Sequence, residues 1–267
     1  MARIITISNQ KGGVGKTTTA VNLAACVAAA ERRVLLVDMD PQGNATSGLG
    51  IDKSRVERSI YDVLCNDTPL AEVLVPTDLP FLSVAPANRD LVGAEIELTS
   101  AMAREHRLDD ALKTVSAAFD YIFIDCPPSL GLLTLNSLTA ADSVLIPLQA
   151  EYFALEGLGE LTRTVQLIQR RLNPALQWEG ILLTMVDARN RLSTQVTADV
   201  REHFGAKVFD TMIPRNVRLG EAPSFGKPII LYDVRAKGSL AYLSLARELL
   251  ERHHAAVRPG RVSARSA

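Results

Sequence analysis

Lysines and aspartates carry most of the reactive chemistry in this sequence. Lys11 and Lys16 stand in "KGGVGKTT", while Asp38, Asp40 and Asp125 stand at the ends of apolar runs. A glycine-rich turn with backbone N–H groups, an ammonium and hydroxyls suits a chain of phosphates. Carboxylates at strand ends suit the divalent cation that accompanies such phosphates.

The usual phosphate-loop pattern is GxxxxGK[ST]. Gly15, Lys16 and Thr17 fit its end, but the first glycine would fall on Gln10, so the strict pattern fails. In its place stands Lys11-Gly12-Gly13-Val14-Gly15-Lys16-Thr17-Thr18, richer in glycine. In this reading Lys16 reaches the β/γ-phosphates, the Thr17 hydroxyl ligates Mg²⁺ and the helix N-terminus adds its own attraction for anions. One lysine suffices for that task, which leaves Lys11 without a role.

"VLLVDMDPQGN" sets Asp38 and Asp40 two apart at a strand end, on one face, before Pro41-Gln42-Gly43 turns the chain away. "YIFIDCPPSLG" ends an apolar run in Asp125, and Cys126-Pro127-Pro128 halts it. This is a Walker B pattern, in which Asp125 holds Mg²⁺ directly or through water beside Thr17. Cys126 is expected to be a packed thiol.

These groups need a scaffold that brings several strand ends to one edge. Apolar runs at Ile4–Ser8, Val34–Asp38, Phe81–Ala85, Tyr121–Asp125, Ser143–Pro147, Gly180–Val186 and Lys207–Phe209 read as strands. Helical patterns alternate with them at Thr17–Ala30, Arg104–Ala118, Leu130–Thr139, Ala154–Leu172, Ser193–Phe204 (with Ser193 at its start) and Ser239–His253. The order predicts an α/β fold: one mostly parallel twisted sheet with helices on both faces, whose strand ends form the ligand edge.

The composition agrees, with 47% hydrophobic residues but only 5% aromatic in 267 residues, which suits parallel strands covered by helices. No repeat or Gly/Ser linker divides the chain, so residues 1–255 are read as one phosphate-loop domain. Residues 256–267, "AVRPGRVSARSA", lack a helical stripe and carry a Pro-Gly breaker, so a disordered basic tail is expected there. Cys26, Cys65 and Cys126 are widely spaced and form no zinc pattern, which predicts reduced thiols in a cytosolic protein. No leader segment or apolar run of spanning length is apparent. The net charge of -1 offers no global attraction for polyanions.

The KGGVGKTT form resembles the deviant Walker A motif of the ParA/MinD class of ATPases. With "DPQGNATSGLGI", "GAEIEL", "DCPPSLGLLTLNSL", "EYFALEGL", "LLTMVDARN" and "IPRNVRLGEAPSFGKPIILYD", the chain is similar to the chromosomal ParA proteins, often called Soj, over roughly residues 2 to 250. The resemblance gives Lys11 a role: it would reach across an ATP-bound homodimer to the phosphates of the other subunit, as an arginine finger does. It makes Asp40 the residue that orients or activates the attacking water, with Asp38 supporting the Mg²⁺ shell. Pro127-Pro128-Ser129 resembles the switch that responds to the γ-phosphate. Pro214, through its backbone, and the Asn216 amide correspond to the adenine contacts.

The resemblance further implies a slow ATPase, cytoplasmic and nucleoid-associated, with ATP and Mg²⁺ as cofactors. Its ATP-bound dimer would hold double-stranded DNA without sequence preference until a ParB-type partner stimulates hydrolysis, in chromosome or plasmid segregation. Arg189 and Arg218 match the basic positions of that DNA contact. From Val186 to Leu240 basic residues number nine against six acidic ones, an excess too small to establish a DNA surface by itself. The alternative is a MinD-like membrane-positioning ATPase, but the tail has Val257 and Val262 as its large apolar residues and no helical stripe, so no membrane contact is expected. A nitrogenase-type iron protein would need cysteines facing a cluster across a dimer axis, and Cys26, on the helix after the loop, is badly placed for one.

Overall fold

The computed structural model describes residues 1–151, 154–187 and 189–257. The expected tail therefore falls almost wholly outside the described residues. Among the described residues seven strands form one sheet: β1 (Arg3–Ile7), β2 (Val34–Asp38), β3 (Val75–Pro76), β4 (Leu82–Ala85), β5 (Tyr121–Asp125), β6 (Ser143–Gln149) and β7 (Gln177–Thr184). Their order is β3-β4-β2-β5-β1-β6-β7, parallel throughout except for the antiparallel edge strand β3.

Helices fill the connections, as parallel crossovers require. They are α1 (Lys16–Ala29), α2 (Asn44–Gly48), α3 (Ile60–Cys65), α4 (Leu70–Val73), α5 (Leu91–Glu97), α6 (Arg107–Val115), α7 (Leu132–Ala140), α8 (Ala154–Arg171), α9 (Arg191–Phe204), α10 (Val217–Glu221), α11 (Ile229–Tyr232) and α12 (Lys237–Val257). Strand side chains alternate between two cores. Val34 and Leu36 of β2 meet α1 and α12 on one face, while Leu35 and Val37 meet the layer of α3, α5, α6 and α7 on the other. A third cluster joins β6 and β7 to α8 and α9.

Several local expectations change, among them the Arg104–Ala118 helix, which runs only over Arg107–Val115. The Lys207–Phe209 run is no strand: Val208 makes a single bridge to Ile181 after a short turn at Gly205–Lys207. Helix α9 begins at Arg191 rather than at Ser193, because the Asn190 side chain accepts from the Leu192 N–H at 3.0 Å and caps the earlier start. The edge strand β3, short and ending in Pro76, gave no alternating pattern to read.

The register levels the strand ends. Ile7 pairs with Asp125, and Asp125 pairs with Asp38, so the three central strands finish side by side. At the opposite pole, α12 is fastened to the sheet by buried polar contacts. His253 Nε2 lies 2.8 Å from Glu179 Oε1, its Nδ1 lies 3.1 Å from the Tyr121 hydroxyl, and the Ser143 hydroxyl donates to Glu179 at 2.7 Å. Nearer the loop, α12 meets α1 through a buried contact of 3.1 Å between the Tyr242 and Thr19 hydroxyls.

Candidate active site

The chain leaves β1 at Ile7 and enters α1 at Lys16, so residues 8–15 form the expected loop. Its entrance is tied by Asn9, whose Nδ2 donates to the Pro147 carbonyl at 2.8 Å and whose Oδ1 accepts the Lys11 N–H at 3.0 Å. Its exit is tied by Thr184, whose hydroxyl donates to the Val14 carbonyl at 2.8 Å. Gly13 and Gly15 have φ of +74° and +88°, conformations that glycine adopts without strain. Gly12 has no such φ, and a Cβ there would meet nothing within 4 Å.

The Thr19 N–H closes the first turn of α1 on the Gly15 carbonyl at 2.9 Å, which leaves Lys16, Thr17 and Thr18 at the open, positive end of the helix. Lys16 is 7% exposed and folds back over the loop to donate to the Lys11 carbonyl at 3.1 Å. Burial pulls its ammonium below the usual pKa, opposed by the attraction of Asp125 and then of Cys126 and Asp40.

The carboxylates at this edge differ in their surroundings. Asp38 is fully buried and satisfied: Oδ2 accepts from the Thr46 N–H at 2.8 Å and the Thr46 hydroxyl at 2.7 Å, and Oδ1 accepts from the Asp40 N–H at 3.2 Å. Asp40, also buried, accepts the Gln42 N–H at 2.9 Å and so holds the turn that follows β2. Asp125 is different again, because both of its oxygens are buried without a hydrogen-bond partner. Burial pushes its carboxyl well above the ordinary range, and the neighbouring Asp38 pushes it further. The Thr17 hydroxyl pulls the other way.

A buried carboxylate with no donor, beside a hydroxyl and a phosphate loop, fits a cation. Among the described residues, no group of three or more His, Cys, Asp or Glu side chains could hold a metal by itself. That suits Mg²⁺, which takes one or two carboxylates and completes its shell with phosphate oxygens and water. Asp125 and Thr17 are the residues that fit it, with Asp38 behind Asp125.

Beside the loop lies a cavity of about 210 Å³, lined by Gly15, Thr18, Met185, Pro214, Asn216 and Tyr242 among others. The Pro214–Asn216 strap hangs on the continuation of β7: the Val186 N–H donates to the Ile213 carbonyl at 3.0 Å, and the Arg215 N–H donates to Val186 at 3.2 Å. Asn216 Oδ1 is buried without a partner, an amide acceptor available to a base edge. Two larger hollows, of about 670 and 610 Å³, lie between residues 51–75 and 63–114 and contain none of these groups.

Lys11 does not join Lys16; its ammonium pairs with Glu151 at 3.0 Å. Arg189 donates to both oxygens of Asp187 at 3.1 Å, and Arg218 pairs with Glu221 at 2.8 Å, with Asp233 at 3.8 Å. The Val186–Pro214 bridge brings the arms that carry them alongside each other. Cys126 is fully buried, its thiol pushed up to about 12 by burial, as a packed side chain should be. Sequence reasoning missed Thr46, Glu151 and Thr184: each stood inside a quoted block, but only the folded chain shows what it holds.

A family model described as an AAA domain matches residues 2–178. The chain is 62% identical to the chromosome partitioning protein ParA of Myxococcus xanthus over 94% of its own length and 89% of that protein's. It is 59% identical to the sporulation initiation inhibitor protein Soj of Bacillus subtilis, over 93% of this chain and 98% of Soj. The chain belongs to the ParA/Soj family of chromosome-partitioning ATPases. Among solved structures, a Mycobacterium smegmatis protein described as cobyrinic acid a,c-diamide synthase, with bound ADP and magnesium, matches with a TM-score of 0.84. Identity there is 41%, with 97% of each chain covered.

Proposed function

We propose that this protein is an ATP-switched DNA-partitioning protein. Its single best support is the pair of buried Asp125 oxygens without hydrogen-bond partners, beside Lys16 and Thr17. Mg²⁺, when bound, supplies the positive charge that neutralises the β- and γ-phosphates. Lys16 and the N–H groups from Gly13 to Thr18 hold the phosphate chain, and Pro214 and Asn216 hold the adenine. Magnesium and ADP in the Mycobacterium smegmatis relative support this reading.

Asp40 orients the attacking water, and Asp38, locked by Thr46, fixes the turn that carries Asp40. Lys11 crosses to the second subunit of an ATP-bound homodimer. In that dimer Arg189 and Arg218 meet DNA phosphates without reading bases, and a ParB-type partner stimulates hydrolysis and release, which makes the protein cytoplasmic and nucleoid-associated. Among the described residues, no helix is long and apolar enough to cross a membrane.

DNA retardation in ATP, ADP and no nucleotide tests the switch, with Asp40→Ala as a second arm. The wild type should retard DNA of any sequence only in ATP, and Asp40→Ala should do so persistently while hydrolysing nothing. Retardation indifferent to nucleotide would overturn the reading. ATP-dependent sedimentation with anionic liposomes instead of DNA would favour the membrane-positioning alternative.

A further inference from the structure

Thr184 occupies a junction that the nucleotide reading leaves unused. It is the last residue of β7, 2% exposed, and its hydroxyl donates to the Val14 carbonyl at 2.8 Å. The same side chain lines the cavity beside the loop, and its methyl would lie 3.9 Å from a Cβ at Gly15. In a trans peptide the carbonyl and the next N–H point in opposite directions. Holding the Val14 carbonyl against β7 therefore turns the Gly15 N–H away from β7. Gly15, at φ +88°, has the freedom to rotate and needs an outside anchor to stop it.

We infer that Thr184 is a positioning residue for phosphate binding: its hydroxyl presets the Val14–Gly15 peptide so that the Gly15 N–H donates to a phosphate oxygen. The inference rests on the nucleotide reading above and deepens it. Thr184 touches no reacting atom; it removes rotational freedom from a donor before the ligand arrives, which is where preorganisation adds affinity. Because Thr184 also walls the cavity next to Met185 and Ile213, base seat and phosphate cradle share one rigid strand end.

Thr184→Val removes the hydroxyl and keeps the shape, whereas Thr184→Ser keeps the hydroxyl and removes the methyl. Thr184→Ala replaces the valine variant if that one does not fold. Displacement of a fluorescent ATP analogue by ATP, ADP and inorganic tripolyphosphate should be weakened roughly three- to ten-fold in Thr184→Val, equally for all three, the loss of one oriented hydrogen bond. Thr184→Ser should restore affinity to near the wild-type value.

Unchanged ATP affinity in Thr184→Val overturns the inference. So does a loss for ATP that tripolyphosphate does not share, since that would make Thr184 a wall of the base seat alone. A Thr184→Ser variant as weak as Thr184→Val also overturns it, by assigning the effect to the methyl. Failure of the nucleotide reading looks different: the wild type itself would not bind ATP, or Lys16→Ala would bind as well as wild type.

Discussion

The Lys11 ammonium lies 3.0 Å from Glu151 Oε2, with 46% and 47% of the two side chains exposed. If Lys11 is to serve a partner's phosphates, it must first leave this contact. An exposed ion pair contributes about 0.2–1 kcal/mol, so the restraint is weak and easily exchanged. Glu151→Gln should leave the melting temperature nearly unchanged and tighten the ATP-bound dimer, in which two such pairs are released, by no more than about thirty-fold. Analytical ultracentrifugation in ATP checks this, and loss of the dimer would show that Glu151 acts within it.

Gly12→Val separates folding from assembly. A Cβ at Gly12 finds open space and no strained φ, unlike one at Gly13 or Gly15. The variant should fold and bind ATP as the wild type does, yet remain monomeric by size exclusion, because its side chain fills the path of the partner's Lys11. A dimer in ATP would contradict the trans role of that lysine.

Asp125→Asn exchanges function for stability. Ionising a carboxyl is costly at this buried position, as its raised pKa records, and a neutral amide carries no charge to desolvate. The nucleotide-free variant should gain on the order of 1 kcal/mol, or about 2–4 °C in melting temperature for a chain of this size. It should lose the further rise that Mg²⁺ and ATP give the wild type. Differential scanning calorimetry with and without Mg-ATP reads both, and an apo variant less stable than wild type would refute the argument.

Arg189 is 91% exposed but held by Asp187, so if it meets DNA as proposed, it does so with part of its charge neutralised. Arg189→Glu and Arg218→Glu should weaken retardation of all sequences alike and leave ATP binding intact. With a log-log salt slope of about -0.9 per phosphate, one lost contact per subunit should lower the dimer's slope by roughly one or two units. Asp187→Ala should strengthen binding. Sequence-dependent losses would point to base readout instead.

Glu179 sets an acid limit. Burial disfavours its ionised form, but hydrogen bonds and charge from His253 and Ser143, with Arg3 nearby, hold the carboxyl below its usual pKa. A depressed pKa contributes stability above the unfolded value, near 4.3, that disappears as pH falls through the folded value. Glu179→Gln should therefore melt below the wild type at pH 7, and the gap should close as pH drops under about 4. A gap independent of pH would separate the carboxylate's charge from its contribution.

The sheet was readable because buried parallel strands are apolar on both faces, as "VLLVD" and "YIFID" are, and because Gly, Pro and Asp punctuate their ends. Lys16, Thr17 and Asp125 were legible for the same local reason. Thr46 and Thr184 were not, since a threonine's partner depends on register and on residues far along the chain: Ala87 for the Thr46 hydroxyl, Val14 for that of Thr184. Nor could spacing distinguish Asp38, saturated by donors, from Asp125, which has none. The helix start at Asn190 was missed because serine and asparagine cap equally well, and only backbone geometry chooses between them.

The contact between Thr19 and Tyr242 spans 223 positions of sequence, so its two sides are made far apart in synthesis. At about 5–20 residues per second, the ribosome delivers the second roughly 10–45 s after the first. Throughout that interval a nascent chain carries its phosphate-binding glycines but not the helix that seats Tyr242 beside them. Full nucleotide affinity would thus be a late acquisition, and a ribosome-stalled fragment would not trap ATP that the finished protein is meant to use.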